Sequence, residues 1–192
     1  MRPHFEIDPD LEKWLQDNVG ISRSLLDSLD ADDDWTFVIK MHGILEAALN
    51  HLLLVRLDNP TLARTISRLE TSNARTGKLA FIKAYGLLKD NACLFVQTLS
   101  EIRNRAVHDV KNFDLKLRNY LASLDSQQLK KWKTAMGSWI VGTPSELLLN
   151  FSVSHPRQAI FNCCMMIIIT SYAEQLKADA LRDLLEALHV TR

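Results

Sequence analysis

The sequence predicts an all-α fold, built as a bundle of four main helices with additional helical segments. Three observations predict this class. Apolar residues recur at steps of three and four in several long stretches, as an amphipathic helix requires. The chain contains no convincing alternation of apolar and polar residues of the kind that half-buried strands show. Residues 161–169 are apolar nearly all round, which is typical of a helix at the centre of a bundle.

The first 30 residues are expected to form an N-terminal helical arm, and residues 31–192 a single bundle domain. Asp8 followed by Pro9 is typical of a helix start, because Asp caps free N–H groups and Pro suits the first turn. Gly20 is expected to end this short helix. A second short helix is predicted over residues 21–29.

A long helix is predicted after Asp32-Asp33-Asp34, continuing to about residue 57. Acidic residues at a helix start satisfy free N–H groups and complement the helix dipole, so a cap is favoured over a metal site. His42 lies on the apolar stripe of this helix, which favours a hydrogen-bonded core histidine over a ligand. Gly43 is expected to permit a close approach of another helix.

The middle of the chain is predicted to contain a polar loop over residues 70–76 and a helix over residues 77–88. Lys78 and Lys83 on this helix are interpreted as solvated surface lysines, with contact to a phosphate as the alternative. Asp90 and Asn91 then begin the helix that ends near His108.

Two further helices are predicted over residues 114–124 and 126–139, and a long final helix begins near Pro156. The basic cluster Lys130, Lys131 and Lys133 with Trp132 is interpreted as a solvated helix face, with nucleic-acid binding as the alternative. The end of the final helix carries a one-sided apolar stripe. This stripe is expected to pack on the N-terminal arm or on a second subunit, and its members are Leu176, Ala180, Leu184 and Leu188.

Composition limits the classes of function. The 23 Lys and Arg residues balance the 23 Asp and Glu residues, so no overall positive field attracts nucleic acid, and any RNA binding must be local or assembled between subunits. Three cysteines, of which Cys163 and Cys164 are adjacent, favour reduced, buried thiols over a disulfide framework. The N-terminus lacks the apolar core of a signal peptide, and residues 161–169 are too short to span a bilayer. We therefore expect a cytoplasmic protein with no membrane association.

No cofactor or metal is expected, since the chain has no glycine-rich phosphate loop, no Cys-x-x-Cys and no His-Glu-x-x-His. The polar residues that look arranged for chemistry lie near the end of the helix over residues 90–108. At 100° per residue, its apolar stripe faces a core and consists of Phe95, Leu99, Ile102 and Ala106. Asn104 and His108 fall on the opposite side of the helix.

The two arginines in this stretch have different surroundings. Glu101 and Arg105 are four residues apart with the acid first, the favourable order for an ion pair along a helix. Arg103 has apolar residues four positions before and after it, so it is available to bind an anion. Arg103 and His108 are about 140° apart around an ideal helix. They can still converge on one ligand, because arginine is long and the helix is expected to fray near His108.

The run Arg103-Asn104-Arg105-Ala106-Val107-His108 resembles the signature of the HEPN superfamily, in which Arg, often followed by Asn, precedes a His near the end of a bundle helix. The wider order of segments resembles the branch that includes mannitol-operon-repressor-like proteins. It comprises the long helix over residues 37–57, the segment over residues 78–88, the Arg/His helix and the helix that begins near Pro156. The resemblance covers roughly residues 33–178 and implies a HEPN-like four-helix bundle.

The resemblance implies a metal-independent endoribonuclease, toxin-like or defence-like, that acts as a symmetric homodimer on RNA. Arg103 would hold the phosphate, His108 would act as general acid and base, and Asn104 would orient the phosphate or shape the interface. Arg103 and Arg105 would bind RNA across the shared cleft. A cognate antitoxin or regulatory protein is a further implied partner.

The alternative is a non-catalytic regulatory or protein-interaction module, since mannitol-repressor-like relatives are regarded as regulators and many HEPN domains have lost catalysis. In that case Arg103 and His108 would only stabilise a helix end or an interface. Catalysis predicts both side chains exposed, close together and in a positive groove across a dimer. Burial of either one in a salt bridge or a core hydrogen bond would favour the alternative.

Overall fold

The computed structural model describes residues 8–108, 114–139 and 146–190, and within these ranges it contains ten α-helices and no β-strand. The all-α prediction is therefore confirmed. The helices are α1 (Pro9–Trp14), α2 (Arg23–Ser28), α3 (Asp34–Leu57), α4 (Ala63–Arg68), α5 (Lys78–Ala84), α6 (Asp90–His108), α7 (Leu117–Ala122), α8 (Ser126–Met136), α9 (Glu146–Ser154) and α10 (Pro156–Val190). A π-helical turn (Leu15–Val19) follows α1, and a 3₁₀ turn (Pro60–Leu62) precedes α4.

The N-terminal helices begin and end where local chemistry predicts. The side chain of Asp8 accepts hydrogen bonds from the first turn of α1, and Gly20 ends the π-helical turn with a left-handed φ of 74°. Ser22 caps α2. Trp14 and Leu15 are buried in the same apolar cluster as the long helices, so this segment contributes to the common core.

The centre of the fold is the packing of α3 against α10. Asp33 caps α3 by accepting from the backbone N–H of Thr36, and this hydrogen bond lowers the pKa of the Asp33 carboxyl. The interpretation of the acidic run as a cap is therefore confirmed. α3 is buried on more than one side, and its fully or nearly buried residues include Val38, Met41, Leu45, Leu49 and Leu53.

α10 is less enclosed than the sequence predicts. Cys163, Cys164 and Ile168 are buried against the core, but Ile169 is 42% exposed, so the apolar segment over residues 161–169 is covered mainly on one side. The apolar stripe near its end is also uncovered, with Leu176 51% and Leu184 57% exposed. The described part of the N-terminal arm does not cover this stripe, and packing on a second subunit stays a prediction. The arm reaches α10 at Tyr172 instead, whose ring centroid lies 5.3 Å from that of Trp14.

α6 lies between α3 and α8 and is the element that carries the candidate site. α8 packs in turn on α9, and α9 packs on α10. Gly43 does not mediate a close helix contact, because it is exposed and an added Cβ atom would meet nothing within 4 Å. The expectation for Gly43 is therefore wrong.

Two helices are long and apolar enough to cross a membrane by length and composition, namely α3 and the Pro156–Leu188 part of α10. The core helices of soluble proteins share this property. Half of the apolar stretch in α3 is buried inside the protein. The three cysteines are free and buried, as predicted.

Candidate functional site at the end of α6

The last turns of α6 present the residues of the Arg/His motif on an uncovered face. Asn104, Arg105 and His108 are exposed and Arg103 is half-buried, whereas Ile102 and Ala106 are buried. The helical periodicity therefore separates apolar from polar residues as the sequence predicts. Residues 109–113, which follow His108, lie outside the described residues.

Arg103 and Asn104 are in direct contact. The Nη1 atom of Arg103 donates a hydrogen bond of 3.0 Å to Oδ1 of Asn104. Because the amide is neutral, this contact orients the guanidinium without compensating its charge. The structure thus pairs two of the three candidate catalytic residues in an arrangement that leaves other N–H groups of Arg103 for an anion.

His108 is the last residue of α6 and is exposed. In the part of the chain that the structure describes, no hydrogen bond joins its imidazole to Arg103. The two side chains leave the helix about 140° apart, so within one chain they flank the helix end rather than stack. A positively charged histidine at this position is favoured by the helix dipole, independently of any catalytic role.

Glu101 and Arg105 each contact a neighbouring helix. Both carboxylate oxygens of Glu101 accept hydrogen bonds of 2.8 Å from Nζ of Lys131 on α8. The guanidinium carbon of Arg105 lies 5.7 Å from the ring centroid of Tyr120 on α7, a cation–π contact. Burial raises the pKa of Tyr120, and Glu101 raises it further while Arg105 opposes the shift. Arg105 therefore has a structural contact in addition to its predicted role in RNA binding.

The end of α6 is held by residues at the start of α3. The indole N–H of Trp35 donates to the backbone carbonyl of Ala106 at 3.0 Å, which satisfies one of the free carbonyls at the helix end. Oδ2 of Asp34 accepts from the backbone N–H of Leu117 at 2.8 Å, and its Oδ1 accepts from Arg157 at 3.1 Å. These contacts fix both ends of the connection between α6 and α7.

His42 is a core histidine, as predicted. It is 9% exposed, and its Nε2 lies 3.1 Å from Oγ of Ser100 on α6. Burial lowers the pKa of His42, the carboxylate of Glu46 opposes this shift, and the charge of Arg103 lowers the pKa further. Since His42 is affected by Arg103, the buried side of α6 is electrostatically linked to the candidate site.

Lys78 is fully buried, so its interpretation as a solvated surface lysine is wrong. Its Nζ donates to Oε1 of Glu46 at 2.5 Å, to the carbonyl of Leu69 at 2.8 Å and to the hydroxyl of Thr71 at 3.3 Å. The sequence contains one signal for this burial, because Lys78 shares a helix face with buried Ile82 at a spacing of four. Lys83 is exposed, as predicted.

The basic cluster on α8 is not an open cationic face. Lys131 is engaged by Glu101, and Lys133 donates to Oδ1 of Asn150 at 2.7 Å. Trp132 is 1% exposed and its indole N–H donates to the carbonyl of Ser152, so it is not available to stack on a nucleic-acid base. Lys130 is exposed.

Among the described residues, no group of three or more His, Cys, Asp or Glu side chains is placed to hold a metal ion. Comparison of the chain with models of protein families, with curated proteins and with solved structures gives no match.

Proposed function

We propose that this protein is a metal-independent endoribonuclease of the HEPN type that acts as a symmetric homodimer. The observation that carries the proposal is the exposed group at the end of α6, where Asn104 holds the guanidinium of Arg103 and His108 is open to solvent. Neither Arg103 nor His108 is fully buried, and Arg103 donates a hydrogen bond to the neutral amide of Asn104. The absence of burial supports the catalytic over the structural interpretation of the motif, and the proximity of the two side chains across a dimer is part of the proposal.

The chemistry needs no metal, because RNA supplies its own nucleophile. Neutral His108 would take the proton of the 2′-hydroxyl, and O2′ would then attack the adjacent phosphorus. The bond from phosphorus to O5′ breaks, and an imidazolium gives its proton to the departing O5′. The products are a 2′,3′-cyclic phosphate and a free 5′-hydroxyl. Arg103, oriented by Asn104, would bind the phosphate and offset the charge that develops on it.

The proposed dimer supplies the second histidine. One chain carries one copy of the motif, so cleavage in which one imidazole acts as base and another as acid needs two copies. Two copies of α6 that face each other would bring Arg103, Arg105 and His108 from both chains to one cleft. Such a cleft would be positive even though each chain has no net charge.

The test is cleavage of a mixed RNA panel in excess chelator, with end-group analysis of the products. Arg103→Ala and His108→Ala should each lower the cleavage rate by about 10²-fold or more. The matched controls are Arg64→Ala and His155→Ala, which change an exposed residue of the same type away from α6. Equal loss in the controls, cleavage that survives both motif variants, or a requirement for metal would contradict the proposal.

The second candidate function is a non-catalytic regulatory or protein-interaction module. It is favoured by the uncovered apolar residues of α10, since monomeric soluble proteins rarely expose a large contiguous apolar patch. These residues are Ile169, Leu176, Leu181 and Leu184. Absence of cleavage by folded, dimeric protein over the whole RNA panel would favour this function. A cognate antitoxin or regulatory protein, and a location in the cytoplasm, belong to the proposal in either form.

A further inference from the structure

A polar groove lies beside the candidate site, between α6, α7 and α8. It has a volume of about 250 Å³. Its polar lining comprises Thr98, Glu101, Arg105, Tyr120, Gln128 and Lys131. Leu124 and the buried ring of Trp132 form the apolar part of its wall.

The groove is on the same side of α6 as His108. Thr98, Glu101 and Arg105 follow one another at steps of three and four, which places them on one face of the helix. His108 is three residues beyond Arg105, a rotation of about 60°, whereas Arg103 is about 140° away from His108. A ligand in the groove would therefore extend towards His108 along the helix surface.

Thr98 adds a buried, unsatisfied hydroxyl to the wall of the groove. The residue is 4% exposed, and its Oγ1 has no hydrogen-bond partner within the described parts of the chain. A buried hydroxyl without a partner destabilises a folded protein, so native structures usually satisfy such groups. Because Thr98 lines the groove, a rotation of its side chain about χ1 would turn this buried hydroxyl towards a bound ligand.

The remaining polar groups offer both donors and acceptors. Lys131 and Glu101 form an ion pair at the groove. The Oε1 atom of Gln128 accepts from the backbone N–H of Asp125 in the cap of α8, so the amide nitrogen of Gln128 is the branch left to donate to a ligand. The guanidinium of Arg105, held over the ring of Tyr120, presents a planar surface.

These features together favour a nucleobase over other ligands. The carboxylate of Glu101 opposes a bare anion, and a purely apolar ligand would desolvate the charged groups of Arg105 and Lys131 without offering them a hydrogen bond. A nucleobase is planar, stacks on arginine guanidinium groups, and carries donors and acceptors on its edges. The volume of about 250 Å³ is below the range of about 300–1,000 Å³ for pockets that hold drug-sized ligands, so the groove suits a ligand no larger than one base.

We propose that this groove binds one base of single-stranded RNA, in the nucleotide next to the bond that is cleaved. This inference rests on the proposed function, because it places the base relative to His108. Thr98 and Gln128 would hydrogen-bond to the edge of the base, and Arg105 would stack on its face. The groove would thus select an unpaired nucleotide.

The test measures binding separately from cleavage. The full-length chain carrying His108→Ala is titrated calorimetrically with the four 3′-mononucleotides, with inorganic phosphate and with trinucleotides. We expect at least one mononucleotide to bind about tenfold or more tightly than phosphate, and a trinucleotide to bind more tightly still. Phosphate that binds as well as every mononucleotide would overturn the assignment to a base. Equal affinity for the mononucleotide and the trinucleotide would overturn the assignment to an RNA strand.

Two substitutions test the groove itself. Thr98→Val keeps the shape of the side chain and removes the hydroxyl, so it should weaken mononucleotide binding about tenfold while leaving the melting temperature unchanged or higher. The matched control is Thr134→Val, whose exposed hydroxyl donates to the carbonyl of Lys130 on α8 and should not affect binding. Lys131→Met provides a second variant at the groove, with the same expected direction. Unchanged affinity in both groove variants would overturn the inference.

The two proposals fail in distinguishable ways. Base binding that depends on Thr98, in a chain whose wild type cleaves no RNA, would support the groove and contradict the ribonuclease. Cleavage that depends on His108, without measurable base binding or without an effect of Thr98→Val, would contradict the groove and support the ribonuclease.

Discussion

Lys78 and Glu46 form an ion pair in which only the lysine is fully buried. Substitution of either residue should lower the free energy of unfolding, but by unequal amounts. Lys78 is fully buried, whereas the side chain of Glu46 is 36% exposed. Removal of the carboxylate by Glu46→Leu therefore leaves an ammonium group inside the protein without its counter-charge. Removal of the ammonium by Lys78→Met leaves a carboxylate that water can reach and that Thr71 still hydrogen-bonds at 2.9 Å.

The magnitudes follow from these contacts. An uncompensated buried charge costs about 3–5 kcal/mol, so Glu46→Leu should lower the free energy of unfolding by that amount. Lys78→Met keeps most of the side-chain volume and chiefly leaves the Leu69 carbonyl without its donor, at a cost of about 1–3 kcal/mol. For a chain of this size, 1 kcal/mol corresponds to about 2–4 °C in melting temperature. The double variant should be more stable than Glu46→Leu alone, because it removes both charges together.

The assay is urea unfolding at neutral pH, with thermal melting as a second measurement. Lys83→Met is the matched control, since Lys83 is an exposed lysine on the same helix and its substitution should change stability by less than about 0.5 kcal/mol. The reasoning is refuted if Lys78→Met costs more than Glu46→Leu, or if the double variant is the least stable of the three.

Three further predictions concern stability. Gly77→Ala should destabilise the protein by about 1–3 kcal/mol in urea unfolding, because the added Cβ would overlap the backbone carbonyl oxygen of Glu70, whereas Gly43→Ala, in open space within α3, should stabilise it by about 0.5–1 kcal/mol; equal effects would contradict the geometry. Arg157→Met removes the donors to the carbonyls of residues 29 and 32 and should lower the free energy of unfolding by about 2–3 kcal/mol. Arg157→Lys should restore only part of this stability, because lysine lacks the planar guanidinium that donates to both carbonyls, and full restoration by lysine would contradict the prediction. Burial lowers the pKa of His42 below 6.5, so the unfolded chain binds the extra proton first and stability should fall as the pH drops below 6.5. His42→Gln should make this fall shallower in a pH series of urea unfolding, and an unchanged slope would count against it.

The contrast between the two glycines shows why spacing in a sequence is a weak guide to close packing. Gly43 occurs on a long apolar helix, which is where small residues often permit a close helix approach, yet it faces solvent. Gly77 occurs in a polar stretch with no such pattern, yet the backbone of residues 70–73 folds against it. Only the path of the chain between α4 and α5 brings these atoms together.

The groove beside α6 was equally inaccessible to sequence reasoning. Thr98, Tyr120 and Gln128 come from three helices, and no local pattern relates them. Helical periodicity did predict which residues of α6 face outward, and the exposure of Asn104 and His108 agrees with it. It did not predict that Glu101 binds Lys131 on α8, because an ion pair between helices depends on how those helices pack.

The sequence by itself determined the all-α class, the capped start of α3, the core position of His42 and the outward face of α6, because each depends on residues within a few positions of one another. The tertiary structure decided the burial of Lys78, the uncovered face of α10 and the groove, because each depends on atoms far apart in the chain. The residue type of Lys78 predicts a surface position, and only the tertiary structure brings the Glu46 carboxylate and the Leu69 carbonyl around its ammonium group. Local interactions depend on the spacing of residues along the sequence, whereas the desolvation of a side chain depends on how the whole chain packs.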